Sequence, residues 1–225
     1  MSRTTLALLV AGLAAVIGCG HGRLVPSDAA KLVYGTNAAA FVVADGLRCT
    51  AESTAWEGRP GELPPSVMPI KVRIRNDSDK PVRVRYEDFA LLGANGRRYR
   101  SLPLVPLQHG GTSAIRPIYA ASKFFVAPLL HDVYPDLPVW ANALPRDEAL
   151  YDREYAKWGP SGPDRHVRRE GLPEGMVDAG GSVTGFLYFE DPTRQEGRAT
   201  FEAELETGGE TEGQTTTLKI PFRVD

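Results

Sequence analysis

Two cysteines, four histidines and a scatter of serines and carboxylates are the side chains from which this 225-residue chain would have to build covalent or metal chemistry. Metal binding needs imidazoles or carboxylates placed in advance on one ligand face, as HxH, HxxxH and HExxH spacings do. His21, His109, His131 and His166 show none of these spacings. His131-Asp132 with Asp136 offers metal ligands locally, but the polarity of a surface loop explains the trio as well. Asn76-Asp77-Ser78-Asp79 has the oxygens of a calcium loop without its mid-loop glycine or distal bidentate glutamate, so it reads as a turn. A serine nucleophile wants GxSxG on a strand-to-helix turn. Gly181-Ser182-Val183-Thr184-Gly185 has its serine one place early and inside a strand pattern, and His109-Gly110-Gly111 suggests an oxyanion loop without a nucleophile to serve. No glycine-rich phosphate loop is present. We expect no enzyme, no metal and no cofactor.

Cys49 belongs to Leu47-Arg48-Cys49-Thr50-Ala51-Glu52-Ser53, which alternates at period two as a half-buried strand does. It shares a face with Leu47 and Ala51, which predicts a buried and inert thiol over a reactive one. Charge follows the same alternation elsewhere. Lys71, Arg73 and Arg75 form one basic ladder, Arg83 and Arg85 extend it, and Glu202, Glu204 and Glu206 form an acidic one. Like charges opposite one another destabilise a sheet, so these ladders require cross-strand acids or an anionic partner, and pairing on a solvated face is the reading preferred.

The first nineteen residues carry an address. Arg3 is a short positive region, Leu6 to Ile17 is an apolar run, and Val16-Ile17-Gly18 ends in a small residue before Cys19. Twelve residues of helix reach about 18 Å, short of roughly 30 Å of hydrocarbon, so the run reads as a signal peptide to be removed. Val16 to Cys19 resembles the lipobox of bacterial lipoproteins. That resemblance implies cleavage before Cys19, diacylation of its thiol and acylation of the new N-terminus. An ordinary signal peptide cleaved elsewhere is the alternative. Gly20 follows the cysteine where lipoproteins kept in the inner membrane typically carry Asp, so the resemblance implies delivery to the outer membrane of a diderm cell envelope.

Removing residues 1–18 leaves 207 residues, enough for one domain with a substantial core. The removed part holds one arginine and no acid, so the formal charge moves from −2 to −3 and gives no reason to expect nucleic acid. With Cys19 lipidated, Cys49 is left alone and a disulfide framework is excluded.

The elements that must position these groups are mainly β. Residues 19–37 read as the lipidated cysteine and a tether, and 38–225 as a single domain. Ile70 to Arg75 and Val82 to Tyr86 alternate on either side of turn chemistry at 76–81, which predicts a hairpin. Asn95-Gly96 predicts a second tight turn. Ser182 to Glu190 is apolar on both faces and is expected to be covered on both sides. Phe201 to Glu206 and Leu218 to Val224 alternate cleanly, with Pro221 suggesting an edge. Short alternating strands between turns predict an antiparallel β-sandwich. The segments 76–82, 88–91, 96–99 and 180–189 are similar to immunoglobulin-like β-sandwich domains of uncharacterised bacterial secreted proteins and lipoproteins. The likeness covers about half the chain and implies a fold without catalytic residues.

An insertion at about 102–177 is aromatic, proline-broken and partly helical. Asp147 caps a helix running to Trp158, with Tyr151, Tyr155 and Trp158 at i, i+4 and i+7 and Gly159-Pro160 as its stop. This stripe packs on the sandwich, or else Tyr134, Trp140, Tyr151, Tyr155 and Trp158 make a platform for a glycan or peptide. The expectation is a lipid-anchored, non-enzymatic structural or interaction module of the envelope, held to the membrane by acyl chains on Cys19, with an envelope protein or glycan as partner. A glycan- or peptide-binding lipoprotein is the runner-up, and an enzyme without a recognisable motif comes third.

Overall fold

The computed structural model describes residues 22–59, 61–106, 124–126, 146–208 and 213–225. Two antiparallel sheets face one another. The first is built from β2 (Lys31–Leu32), β3 (Ala39–Ala44), β4 (Leu47–Glu52), β5 (Val67–Asn76) and β11 (Ser182–Glu190), in the order β11-β5-β4-β3-β2. The second takes β1 (Leu24–Pro26), β6 (Val82–Val84), β7 (Phe89–Gly93), β8 (Arg98–Arg100), β9 (Phe124–Val126), β10 (Gly175–Val177), β12 (Arg198–Thr207) and β13 (Gln214–Val224). Its order is β1-β13-β12-β6-β10-β9, with β7 and β8 joined along the other part of β12.

Period-two patterning dictates what lies between the sheets. Leu47, Cys49 and Ala51 from β4, Ile70, Val72 and Ile74 from β5, and Ala203, Leu205, Ile220 and Phe222 from β12 and β13 are all buried. Phe189 meets Phe201 edge-on at 6.2 Å across the layers. Phe201 pairs with Ile220 and Leu205 with Thr216, the expected β12–β13 pairing. Leu92 pairs with Arg98 around the Asn95-Gly96 turn, where Gly96 has φ +84°. Pro221 falls just where β1 stops: β1 pairs only with residues 222–224, so the proline lies beyond that ladder.

The expected hairpin between 70–75 and 82–86 is not formed. Strand β5 pairs with β4 and β11, while β6 pairs with β10 and β12 in the opposite sheet, so residues 77–81 carry the chain across the sandwich. Asn76 fixes that crossing. Its buried Nδ2 donates to Lys80 O (2.7 Å) and Val177 O (2.9 Å), and its Oδ1 accepts from Ser78 N (3.1 Å) and Ser78 Oγ (2.6 Å). Satisfying four bonds on one buried amide commits the backbone to an arch between layers.

Two further expectations change. Residues within 19–37, read as tether, include β1, whose Leu24 is 1% exposed, and β2 on the edge of β3, so the fold begins almost at once after Cys19. The end of the insertion is part of the sandwich, because β10 lies between β6 and β9. Its helices are α1 (Glu148–Ala156) and α2 (Arg165–Glu170). Asp147 caps α1 by accepting Leu150 N–H at 2.8 Å, as the sequence predicts.

Candidate functional site: a basic and aromatic groove on the outer sheet

The outer face of the five-stranded sheet divides into a covered part and a bare part. On the covered part Phe186 and Tyr188 of β11 lie beneath Trp56 and the insertion. Trp158 meets Tyr188 edge-on at 5.4 Å and donates its indole N–H to Pro103 O at 2.7 Å, while Tyr188 donates its hydroxyl to Val167 O at 3.0 Å. Tyr151 is buried and donates to Val105 O, and Tyr155 packs half-buried on the same cluster. Tyr151 and Trp158 are therefore committed to the seat of the insertion, with Tyr155 half-buried beside them. The cleft beside Tyr151 holds about 20 Å³, room for about one water. Cys19, Tyr134 and Trp140 lie outside the described residues, as do His131, Asp132 and Asp136.

On the bare part, strands β3, β4 and β5 point Phe41, Val43, Arg48, Thr50, Arg73 and Arg75 outward. Register sets Arg48 directly opposite Arg75 and Thr50 opposite Arg73. A groove of about 560 Å³ runs among Leu32, Val33, Tyr34, Phe41, Arg48, Thr50, Arg73 and Arg75, within the size range of ligand pockets. The exposed large apolar side chains of the described residues, Leu32, Tyr34 and Val43, all belong to β2, β3 and the loop between them, and Tyr34 is fully exposed. Arg48 stacks its guanidinium over Phe41 at 5.1 Å. Arg75 donates to Asp77 at 2.6 Å, the one carboxylate among the described residues in contact with Arg48, Arg73 or Arg75.

No family model matches this chain, and no curated protein does. It is similar in structure to a candidate lipoprotein from Bacillus subtilis (ycdA) known from a 2.62 Å crystal structure, with a TM-score of 0.33 and 14% identity over 80% of this chain and 38% of that one. The chain thus spans well under half the length of that neighbour.

Three further charge clusters are paired internally. On the eight-stranded sheet, Arg83 pairs with Glu206 (3.3 Å), and Glu202, 3% exposed, accepts from Arg98 (2.6 Å) and Lys219 (2.9 Å). Burial pushes the Glu202 carboxyl up, but these bonds outweigh it and hold the group below its ordinary range. Arg146 ties the insertion to the sandwich: its backbone N–H donates to Glu87 (2.9 Å), and its guanidinium pairs with Glu206 and approaches Asp88 (3.8 Å). Burial pushes Asp88 up to about 8, and Glu174, which accepts Tyr86 N–H at 2.7 Å, up to about 7. Burial also pushes the Cys49 thiol up to about 12, leaving it neutral and inert. His166 contacts Glu62 at 3.0 Å beside Trp56, and no group of three or more metal-ligating residues occurs among the described residues. Among them, too, no helix is long and apolar enough to cross a membrane.

Sequence reasoning found the Arg73–Arg75 ladder but set it beside the wrong strand. Arg48, Phe41 and Tyr34 were not singled out, because only the β4–β5 register and the fold of the loop after β2 bring them to it.

Proposed function

We propose that this chain is a lipid-anchored protein of the cell envelope, held by acyl chains on Cys19, whose immunoglobulin-like sandwich serves as a non-enzymatic interaction module. The observation that carries this reading is the closeness of the fold to the lipobox-like cysteine: strand β1 begins at Leu24, five residues after Cys19. At no more than about 3.6 Å per residue, that length holds the domain within about 18 Å of the acyl chains. Two or more acyl chains anchor firmly where one is marginal. Gly20 supports outer-membrane delivery. The groove supports an interaction role, since it gathers guanidinium and apolar groups on one exposed face.

Intact mass of the protein extracted from its native membranes tests the anchor. The expected result is a chain lacking residues 1–18 with acyl mass on Cys19, and no acyl mass in Cys19→Ser. An unmodified wild-type Cys19, or cleavage at another bond, would contradict the reading. The runner-up, a glycan or peptide platform on the insertion, would rest on Tyr134 and Trp140, because Tyr151 and Trp158 are committed to packing.

A further inference from the structure

The groove on the five-stranded sheet is an unusual use of a sheet face. Two guanidiniums set directly opposite one another repel, and such placements destabilise a sheet unless something negative lies between them. Of the three arginines, Arg75 has Asp77, whereas Arg48 and Arg73 have no acid within ion-pair distance among the described residues. Around them stand the exposed Tyr34, Leu32 and Val43. Arginine beside exposed aromatic and aliphatic side chains is the composition of surfaces that lie in the headgroup layer of a bilayer: the guanidinium meets phosphate and the apolar group enters the acyl boundary. The chain enters at the rim of the sandwich: β1 pairs with β13 of the eight-stranded sheet, and Leu24 O accepts the hydroxyl of Ser53, which follows β4 of the five-stranded one, so the anchor leaves either sheet free to face the membrane.

We propose that this face, centred on Arg48, Arg73 and Arg75 and rimmed by Leu32, Tyr34 and Val43, is the surface on which the domain lies against an anionic phospholipid bilayer. The local concentration of this face at the membrane rests on the Cys19 anchor; the charge and apolar arguments that select the face do not. A tethered surface needs only weak intrinsic affinity, because the anchor keeps its local concentration at the membrane high.

The mature chain from Gly20 onward contains all the described residues and no acyl group, so sedimentation with vesicles reads the face alone. Binding is expected to equimolar phosphatidylglycerol and phosphatidylcholine, to be lost on pure phosphatidylcholine, and to fall with salt. Arg48→Gln and Arg73→Gln should each weaken it about five-fold and together about 25-fold, from the contribution of one basic residue at an anionic surface. Tyr34→Ala should weaken it several-fold with no change in circular dichroism. Arg198→Gln, an equal charge change on the opposite sheet, should leave it unchanged. Equal binding to both lipid compositions, an unaffected double variant, or an Arg198→Gln as weak as Arg73→Gln would overturn the proposal. Arginine-dependent binding to an anionic glycan in place of vesicles would overturn it too and give the groove to that ligand. Failure here with acyl mass on Cys19 would refute the docking face and leave the anchor standing.

Discussion

The outward faces of the two sheets carry charge in opposite ways. On the eight-stranded sheet Arg83, Arg98 and Lys219 each meet a glutamate of β12, and this part of the ladder is internally paired. On the five-stranded sheet Arg48 faces Arg75, and the nearest compensation is one aspartate on the adjoining turn. Both ladders are written in sequence as the same alternation. The difference lies in register: β12 sets Glu202 opposite Lys219 and Glu206 opposite Arg83, with Arg198 opposite Arg223 only at its first residue, whereas the middle of the other face sets Arg48 opposite Arg75. A neutral ladder supports folding, whereas an uncompensated one costs stability and is the place to look for function.

The largest contrast is within the five-stranded sheet's outer face, between its covered and bare parts. Trp158→Ala removes an indole that is 5% exposed, packed on Tyr188 and bonded to Pro103 O, and should cost about 3–5 kcal/mol in denaturant unfolding. Tyr34→Ala, on the bare part, should change stability by less than about 0.5 kcal/mol. An unchanged midpoint for Trp158→Ala would make the insertion a loose attachment and reopen its aromatics to ligand binding.

Between the two ladders the effect is smaller. Arg98→Gln leaves the nearly buried Glu202 with Lys219 alone and should cost about 1–3 kcal/mol. Arg73→Gln has no acid to orphan among the described residues and should fall within about 0.5 kcal/mol of wild type, with relief of repulsion in its favour. Similar losses from both would show that Arg73 has a structural partner after all.

A pH-dependent effect is expected in the cluster that ties the insertion down. A carboxyl raised to about 8 in the folded chain, against roughly 4 unfolded, binds more protons folded than unfolded between those values. Its contribution to stability is therefore complete below pH about 4 and is lost as pH rises through about 8. Glu174, raised to about 7, acts in the same direction. Thermal midpoints should decline from mildly acidic to mildly alkaline pH, and Asp88→Asn should flatten that decline, since its amide oxygen still accepts Arg85 N–H where Asp88 does at 2.9 Å. A steeper decline in the variant would reverse the assignment.

How much of this was legible follows from range. Strands β4, β5, β12 and β13, the Asn95-Gly96 turn and the capped helix α1 are local patterns, and the alternation or the cap states them directly. The partner of β6 is not local. Turn residues at 76–81 fit a hairpin or an arch equally, and the choice is made by the Asn76 amide reaching Val177 O, 101 residues away. Strand β2 has two residues and no period to read, and α2 offers a single buried residue, Val167, among charged neighbours. The groove was half visible: Arg73 and Arg75 announce a basic face, but Arg48 joins them through register and Tyr34 through a loop.

The central claim is that the five-stranded sheet, and not its opposite, faces the membrane. An environment-sensitive fluorophore on a single cysteine tests it in the mature chain from Gly20 onward, where the buried, neutral Cys49 thiol stays unlabelled. On phosphatidylglycerol-containing vesicles a probe at Val43→Cys should shift to the blue, while one at Glu204→Cys should keep its aqueous spectrum. A blue shift at 204, or none at 43 with the protein bound, would contradict the account.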